Sequence, residues 1–244
     1  MIDYLPVRSD LLVLALGALL YLIDTGRLIA SNELLLVDSA GGRFRAVTPD
    51  RGFLFSRRYA VFPGLLRPST LLIRLRWPTP ISGASAAAPL IERMATLVKQ
   101  LQMPRIICWL LLVEIFVAIP LAYFLTGSDW PLLLVFVIVY LQILGMAVWL
   151  MVARKTLGLT LKQSLIIAFE SFVCLPYAIN FHRKVFEQAL HPHRTDPLDA
   201  ANLLMADADV ANLKAHFRRA LESYQVVADS PALDAWRTRL GGGS

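Results

Sequence analysis

The chain has 244 residues, of which 57% are hydrophobic and 17% charged, far from the average composition of a soluble protein. The apolar residues are clustered in long runs. Residues 106–125 and 130–152 each reach roughly the 20 residues that cross about 30 Å of hydrocarbon as a helix. Packing in a water-soluble core does not explain runs of this length, so the composition predicts an integral membrane protein.

The formal net charge of +6 raises nucleic acid as a partner, and the location of the charge decides the interpretation. Residues 31–105 carry eleven basic side chains against four acidic ones, so this loop accounts for the whole excess. Loops rich in Lys and Arg stay on the cytoplasmic side of a membrane protein. We therefore predict a cytoplasmic loop whose partners are membrane lipids and other subunits, and no binding of nucleic acid.

Residues 1–31 are predicted to form a signal-anchor transmembrane helix with its N-terminus outside. A cleaved signal peptide has a basic start and small residues before the cut. Here Asp3, Arg8 and Asp10 precede the apolar run, and Leu28 stands where a small residue is required. Because the basic excess lies just after this run, the orientation with the N-terminus outside is favoured.

Residues 32–78 are predicted to form a small, basic antiparallel β module on the cytoplasmic side. Apolar side chains alternate with arginines along residues 71–77, which is typical of a half-buried strand. Gly41-Gly42 is a hairpin signal, and residues 49–52 predict a second turn. We expect three or four strands, and so short a module needs support from the bilayer, the rest of the chain or a partner.

Residues 79–105 are predicted to form a linker and an amphipathic helix that lies along the membrane interface, because apolar residues recur there at helical spacing. Residues 106–153 follow as a transmembrane hairpin. Its two helices are joined by residues 126–129, which contain no Lys or Arg and are therefore expected outside. Together with the signal anchor, this gives three spanning helices.

Residues 157–184 are predicted to form a re-entrant segment or a fourth transmembrane helix, and the re-entrant form is favoured. The segment contains Glu170 and Pro176 and is basic on both flanks, which a true span should not be. A re-entrant segment leaves the C-terminus in the cytoplasm, whereas a fourth span places it outside. Residues 185–240 are predicted to be a helical tail, and residues 241–244 have the composition of an expression linker.

Polar residues within the predicted membrane segments are the first candidate site. Glu114 and Glu170 would be costly to expose to lipid as anions, and Gln142 of the third span is a possible third polar group. The functional interpretation is a proton or cation site, or a substrate contact. The favoured alternative is that protonated or hydrogen-bonded carboxyls fix helix packing or dock a partner subunit, because no spacing motif connects the two carboxylates.

The arginines of the β module are the second candidate site, because they could contact anionic lipid headgroups or an acidic partner. The alternative is that they only enforce the topology of the chain. The candidates for contact with lipid or a partner are Arg43, Arg45, Arg57, Arg58, Arg74 and Arg76.

A metal site is not predicted. His182, His191 and His193 lie within a dozen residues, but their spacing matches no zinc motif, and solvated loop histidines explain the same pattern. Cys108 and Cys174 fall inside apolar segments, which excludes a disulfide scaffold or a CxxC knuckle. Phosphate-loop, dinucleotide-binding, metalloprotease and hydrolase motifs are missing, so no catalytic residue and no cofactor is predicted.

These patterns predict an α-helical integral membrane protein with three transmembrane helices, a fourth re-entrant or spanning segment, a small antiparallel β module and a C-terminal helical tail. We expect it in a bacterial inner membrane. The favoured function is a non-catalytic adaptor or scaffold subunit of a larger membrane assembly, with other membrane subunits or further copies as partners. The alternative is a membrane enzyme or a small ion or proton permeation unit that uses Glu114 and Glu170.

Overall fold

The computed structural model describes residues 9–39, 43–76, 87–126, 129–190 and 196–224, together with residues 236, 238 and 240. The chain divides into two compact units. The first unit comprises Met1–Arg27, Gly64–Ser69 and Lys99–Ala189, and the second comprises Leu28–Pro63, Thr70–Val98 and Leu190–Ser244.

Helices dominate the described part of the chain, and short strands occur between the first two helices. The helices are α1 (Ser9–Thr25), α2 (Ala87–Gln100), α3 (Gln102–Val113), α4 (Ile119–Thr126), α5 (Asp129–Ala153), α6 (Leu161–Val173), α7 (Leu175–Ile179), α8 (Phe181–Leu190), α9 (Pro197–Leu204) and α10 (Asp207–Tyr224). The strands are β1 (Arg27–Ile29), β2 (Glu33–Asp38), β3 (Phe44–Val47), β4 (Phe53–Phe55), β5 (Arg58–Val61) and β6 (Leu72–Arg76). A 3₁₀ turn covers Pro49–Arg51, and a π-helical stretch, Glu114–Ala118, joins α3 to α4.

The first unit is a helical assembly. Helix α5 packs against α4 and α6, while the short α7 packs against α1, α3 and α6. One buried stripe of α5, formed by Val139, Ile143, Met146 and Leu150, faces this interior. The stripe recurs every three or four residues, as expected for one face of a helix.

Two helices among the described residues are long and apolar enough to cross a membrane. They are Gln102–Phe124, which runs through α3, the π stretch and α4, and Trp130–Ala153 of α5. Only 17% of the apolar stretch of each helix is buried inside the structure. The outer faces of these two helices are therefore covered with exposed apolar side chains, unlike those of a helix in a soluble core.

The prediction of three spanning helices and a fourth re-entrant or spanning segment is wrong. Among the described residues two helices are candidate spans, and they do not establish a multi-pass membrane fold. Helix α1 is described over Ser9–Thr25, 17 residues, and is not among these two candidates. The predicted outside location of the N-terminus depended on this helix crossing the bilayer.

Residues 157–184 also fail to form one long helix. Helix α6 ends at Val173, and Cys174 adopts an extended backbone conformation with φ of −127° and ψ of 101°. Pro176 then lies in the first turn of α7, where a residue without an N–H is tolerated, whereas in a continuous helix it would remove a hydrogen bond. The segment is rich in apolar residues, but its backbone is divided among three short helices, α6, α7 and α8.

The second unit contains two three-stranded sheets with strand orders β1-β5-β4 and β3-β2-β6. Strand β2 pairs antiparallel with both neighbours, so that Leu36 lies opposite Ala46 on one side and Ile73 on the other. One apolar core holds buried side chains of both sheets, namely Ile29, Leu35, Val37, Val61 and Leu72. The two sheets are thus stabilised by burial of a common set of aliphatic side chains.

The β module obtains further support from the C-terminal helices. Both α9 and α10 pack against β3, and Met205 forms an isolated β-bridge with Phe44. Of the three supports expected for so short a module, the rest of the chain supplies this one. The turn predicted at residues 49–52 is the 3₁₀ turn, and β2 and β3 pair as the Gly41-Gly42 signal predicts, although these glycines lie outside the described residues.

The described part of residues 32–78 contains five strands, where three or four were expected, and a sixth strand, β1, precedes this segment. The strands that the sequence did not reveal, β1, β4 and β5, are three or four residues long, too short for a clear alternation. Helix α2 is the amphipathic helix predicted within residues 79–105, and its apolar side chains Leu90, Met94 and Leu97 are buried. The linker that precedes it lies outside the described residues as far as residue 86.

Candidate functional site

Arg74 and Arg76 project from β6 and bind a carboxylate of their own unit. Glu33 on the neighbouring β2 is buried, and its Oε1 accepts a hydrogen bond from Arg76 at 2.7 Å while its Oε2 lies 3.8 Å from Arg74. Burial alone would raise the pKa of Glu33, but the hydrogen bonds from Arg76 and from the backbone N–H of Ala30, with the charge of Arg74, lower it below its ordinary value. These two arginines therefore compensate a buried charge of the sheet.

Arg57 and Arg58 lie at the tip of the β4–β5 hairpin. Ser56 and Arg57 form its two-residue turn, with positive φ angles of 45° and 70°. Turns with two positive φ angles match the twist of a hairpin and are usually formed by Asn-Gly. Here a serine and an arginine adopt the left-handed conformation at some cost, and the result is a positive charge at the end of the hairpin.

The strand next to this turn exposes its apolar side chains. Phe53, Leu54 and Phe55 of β4 are 76%, 70% and 64% exposed, and β4 is an edge strand of its sheet. Because neighbouring side chains of a strand point to opposite faces, the apolar surface covers both sides of the hairpin end. We call Phe53, Leu54, Phe55, Arg57 and Arg58 the hairpin tip.

Arg43 and Arg45 line a groove of about 670 Å³ within the second unit. The groove lies between β3, the 3₁₀ turn and α10, and two further arginines, Arg51 and Arg219, line it as well. His216 of α10 is also in its wall. Burial lowers the pKa of this imidazole, and the charge of Arg219 acts in the same direction, whereas Asp50 raises it. We call this space the arginine groove.

The side chains of Glu114 and Gln142, which lie in the two long apolar helices, form a hydrogen bond. The Nε2 of Gln142 in α5 donates a hydrogen bond to Oε1 of Glu114 at 2.7 Å. Glu114 is the first residue of the π-helical stretch, and such stretches often re-aim a side chain within a helix. The pair thus connects two helices that are otherwise apolar.

We expect Gln142→Leu to lower the free energy of unfolding by about 1 kcal/mol, because interhelical hydrogen bonds between apolar helices contribute about 0.6 to 1.7 kcal/mol. Chemical unfolding in detergent of this variant, of Glu114→Leu and of the double variant measures the coupling between the two side chains. Strictly additive effects of the single substitutions would contradict the hydrogen bond.

Glu170 has different partners and does not meet Glu114. The Nζ of Lys184 in α8 lies 3.1 Å from Oε2 of Glu170 and 2.9 Å from Oδ1 of Asp24 at the end of α1. The Nδ2 of Asn180 donates to Oδ2 of Asp24 at 2.9 Å. An acid within an apolar segment is therefore neutralised by a lysine from the next helix but one, and the two predicted carboxylates do not form one site.

A second ion pair crosses the same contact between α1 and α8. Arg27, just after α1, lies 3.1 Å from Oε2 of Glu187, and it also donates to the backbone oxygen of Asp24 at 2.7 Å. Asp24 and Arg27 are three residues apart, as are Lys184 and Glu187. Each acid of one segment thus faces a base of the other. This network was missed at the sequence level, where the only available signal was the matched spacing of these two pairs.

Arg183 is fully buried next to this network. Its guanidinium donates to the backbone oxygen of Thr25 at 3.3 Å and to those of Gly64 and Arg67 at 3.2 Å each. Burial lowers its pKa to about 10, with the charge of Arg27 acting in the same direction, so it stays protonated at neutral pH. The guanidinium of Arg183 thus supplies hydrogen bonds to the last carbonyl of α1 and to two carbonyls of the loop that contains Gly64.

His182 does not lie in a solvated loop, contrary to the expectation for this residue. It belongs to α8 and is 2% exposed, and its Nδ1 has no hydrogen-bond partner among the described residues. Burial lowers its pKa to about 4, and the charges of Arg105 and Arg183 act in the same direction. The imidazole is therefore neutral at neutral pH.

No group of three or more His, Cys, Asp or Glu side chains within the described residues is placed to hold a metal ion. His191 and His193, two of the three clustered histidines, lie outside those residues. Comparison of the chain with family models, with curated proteins and with solved structures gives no match. The geometry of the chain itself is therefore the basis for a functional proposal.

Proposed function

We propose that the protein is a non-catalytic adaptor or scaffold subunit bound to a bacterial inner membrane, and that its second unit contacts anionic lipid through the hairpin tip. The observation that carries the proposal is the exposure of three large apolar side chains beside two arginines. Apolar clusters of this kind, rimmed by charge, mark interaction surfaces. Phosphate headgroups and the acyl region below them complement both parts of the tip.

The magnitudes favour insertion of the tip into the lipid interface. Removing an exposed Leu or Phe side chain from water stabilises by about 1.5–3 kcal/mol, and an arginine near an anionic leaflet contributes about 1 kcal/mol. Partial insertion of three apolar side chains with Arg57 and Arg58 at headgroup level therefore suffices for a stable contact. The unusual left-handed turn residues place a charge where this contact needs it.

The two long apolar helices support the membrane location. Their outer faces are exposed in the structure, which a bilayer would cover. Arg105 lies in the first turn of the first helix, and Arg154 with Lys155 follows the second, whereas residues 126–129 between them carry no Lys or Arg. By the charge rule, a membrane hairpin formed by these helices has both ends in the cytoplasm.

The alternative function, an enzyme or permeation unit that uses intramembrane carboxylates, finds less support in the geometry. Such a site needs acids that converge on a substrate or an ion path. Glu114 instead accepts a hydrogen bond from Gln142, and Glu170 is paired with Lys184. The packing role that the sequence favoured for these carboxyls agrees with these contacts.

A depth measurement tests the proposal. The full chain with Cys174→Ser and Leu54→Cys is labelled with an environment-sensitive fluorophore and reconstituted in nanodiscs of phosphatidylethanolamine and phosphatidylglycerol. Cys108 is fully buried and is not expected to react. We expect nitroxide groups attached near the headgroups to quench the label at position 54 at least twofold more than a label at Glu222→Cys, a control on the exposed side of α10.

Two further results separate the possible outcomes. In the proposed arrangement, Phe53→Ser with Phe55→Ser reduces the quenching at position 54 to the level of the control. The proposal would be overturned if aqueous iodide still quenched the fluorescence of the label at position 54 in anionic nanodiscs. Quenching that is equal in purely zwitterionic nanodiscs would remove the role assigned to Arg57 and Arg58.

A further inference from the structure

The arginine groove brings together basic side chains from separate elements of the second unit. Arg43 directly precedes β3, and Arg45 lies within it. Arg51 belongs to the 3₁₀ turn and Arg219 to α10. The first three lie within nine residues of one another, whereas Arg219 comes from the C-terminal part of the chain, and all four are exposed. Their convergence on one space is therefore a product of the fold.

The charge of the groove is not balanced by its own acids. Two aspartates, Asp50 and Asp209, line it against the four arginines. Asp50 accepts a hydrogen bond from Thr48 and lies 3.8 Å from Nδ1 of His216. Among the described residues, no carboxylate lies within ion-pair distance of the four groove arginines, in contrast to Arg74 and Arg76, which share Glu33.

We propose that the arginine groove is a binding site for a phosphate ester. A guanidinium is a planar fork that matches the oxygens of a phosphate group, and several guanidiniums around one space favour a doubly charged ligand. The volume of about 670 Å³ is in the range of sites for small molecules.

The ester could come from two sources, a free metabolite or the headgroup of a phospholipid, and the chemistry of recognition is the same. This proposal does not depend on the hairpin tip, which uses different arginines at a different place of the second unit. The two sites can therefore be tested separately in one protein.

The test is a titration of the detergent-solubilised full chain by calorimetry with two probes, glycerol 3-phosphate and dihexanoyl phosphatidic acid. We expect saturable binding of at least one probe. Arg45→Gln with Arg219→Gln should weaken it by at least tenfold, because each bidentate contact to phosphate is lost. Arg57→Gln with Arg58→Gln, the matched control at the hairpin tip, should change the affinity less than twofold.

Each outcome has a defined meaning. Binding of glycerol 3-phosphate at comparable affinity supports a free ester as the ligand, whereas binding of dihexanoyl phosphatidic acid alone supports a lipid headgroup. The proposal is overturned by the lack of saturable binding of both probes, or by the same affinity in the groove variant and the wild type. If the double variant fails to fold, Arg51→Gln alone, at an exposed turn position, gives the same comparison with an expected loss of severalfold.

Discussion

Replacing Arg183 with alanine is expected to lower the free energy of unfolding by about 3–5 kcal/mol, because a hydrogen bond to a charged group contributes about 1.5–3 kcal/mol and three carbonyls share this donor. The guanidinium is fully buried and donates to the carbonyls of Thr25, Gly64 and Arg67. The substitution removes this shared donor, and each acceptor that is left buried and unsatisfied costs about 1–3 kcal/mol. Chemical unfolding in detergent, followed by circular dichroism, measures the loss.

Two variants make this result specific to the guanidinium. Arg183→Lys keeps the charge, but an ammonium group does not present the planar fork that reaches three carbonyls, so a loss between those of wild type and Arg183→Ala is expected. Lys162→Ala removes an exposed charge from α6 and should change the free energy of unfolding by less than about 0.5 kcal/mol. A loss below about 1 kcal/mol for Arg183→Ala would show that the buried contacts contribute little.

Local patterns in the sequence predicted the elements whose formation depends on neighbouring residues. The run of residues 130–152 is helix α5, and the alternation around Ile73 and Leu75 is strand β6. The turn predicted at residues 49–52 is present, and β2 and β3, which flank the glycine pair in sequence, are paired as predicted. Each of these patterns lies within about twenty consecutive residues, so it can be recognised without knowledge of the fold.

The number of spans could not be predicted from hydropathy, because hydropathy counts apolar residues and does not detect where a helix ends. In residues 157–184 the break at Cys174 and Pro176 decides the structure, although the composition on both sides is apolar. In α1 the helix ends at Thr25, directly before the turn into β1. A long apolar run thus shows that the segment is hydrophobic. Whether it can span a bilayer depends on whether its backbone forms one continuous helix.

The polar network of the first unit was out of reach for a different reason. Asp24 meets Asn180 and Lys184, and Arg27 meets Glu187, across about 160 residues of sequence. A single sequence carries no signal for such pairs beyond their charge and the matched three-residue spacing. The same applies to the arginine groove, where α10 adds Arg219 to a cluster of which the sequence revealed only the part on β3.

Acidification is expected to destabilise the protein through His182, between about pH 6.5 and pH 4. In the unfolded chain this imidazole has its ordinary pKa of about 6.5, whereas burial, with Arg105 and Arg183, lowers the pKa in the folded state to about 4. Within this window the unfolded state binds more protons than the folded state, so the free energy of unfolding falls as the pH falls. The contribution is complete above pH 6.5 and is lost by about pH 4.

The size of this effect follows from the shift, since one pKa unit corresponds to about 1.4 kcal/mol, and the total is about 3 kcal/mol. Because carboxylates titrate in the same window, the measured quantity is the difference between wild type and His182→Leu, whose curve should fall less steeply. His216→Leu is the matched control, because Asp50 opposes the lowering of the His216 pKa, so its effect should be smaller. Parallel curves for wild type and His182→Leu from pH 7 to pH 4 would mean that water or a proton reaches the imidazole without opening the fold.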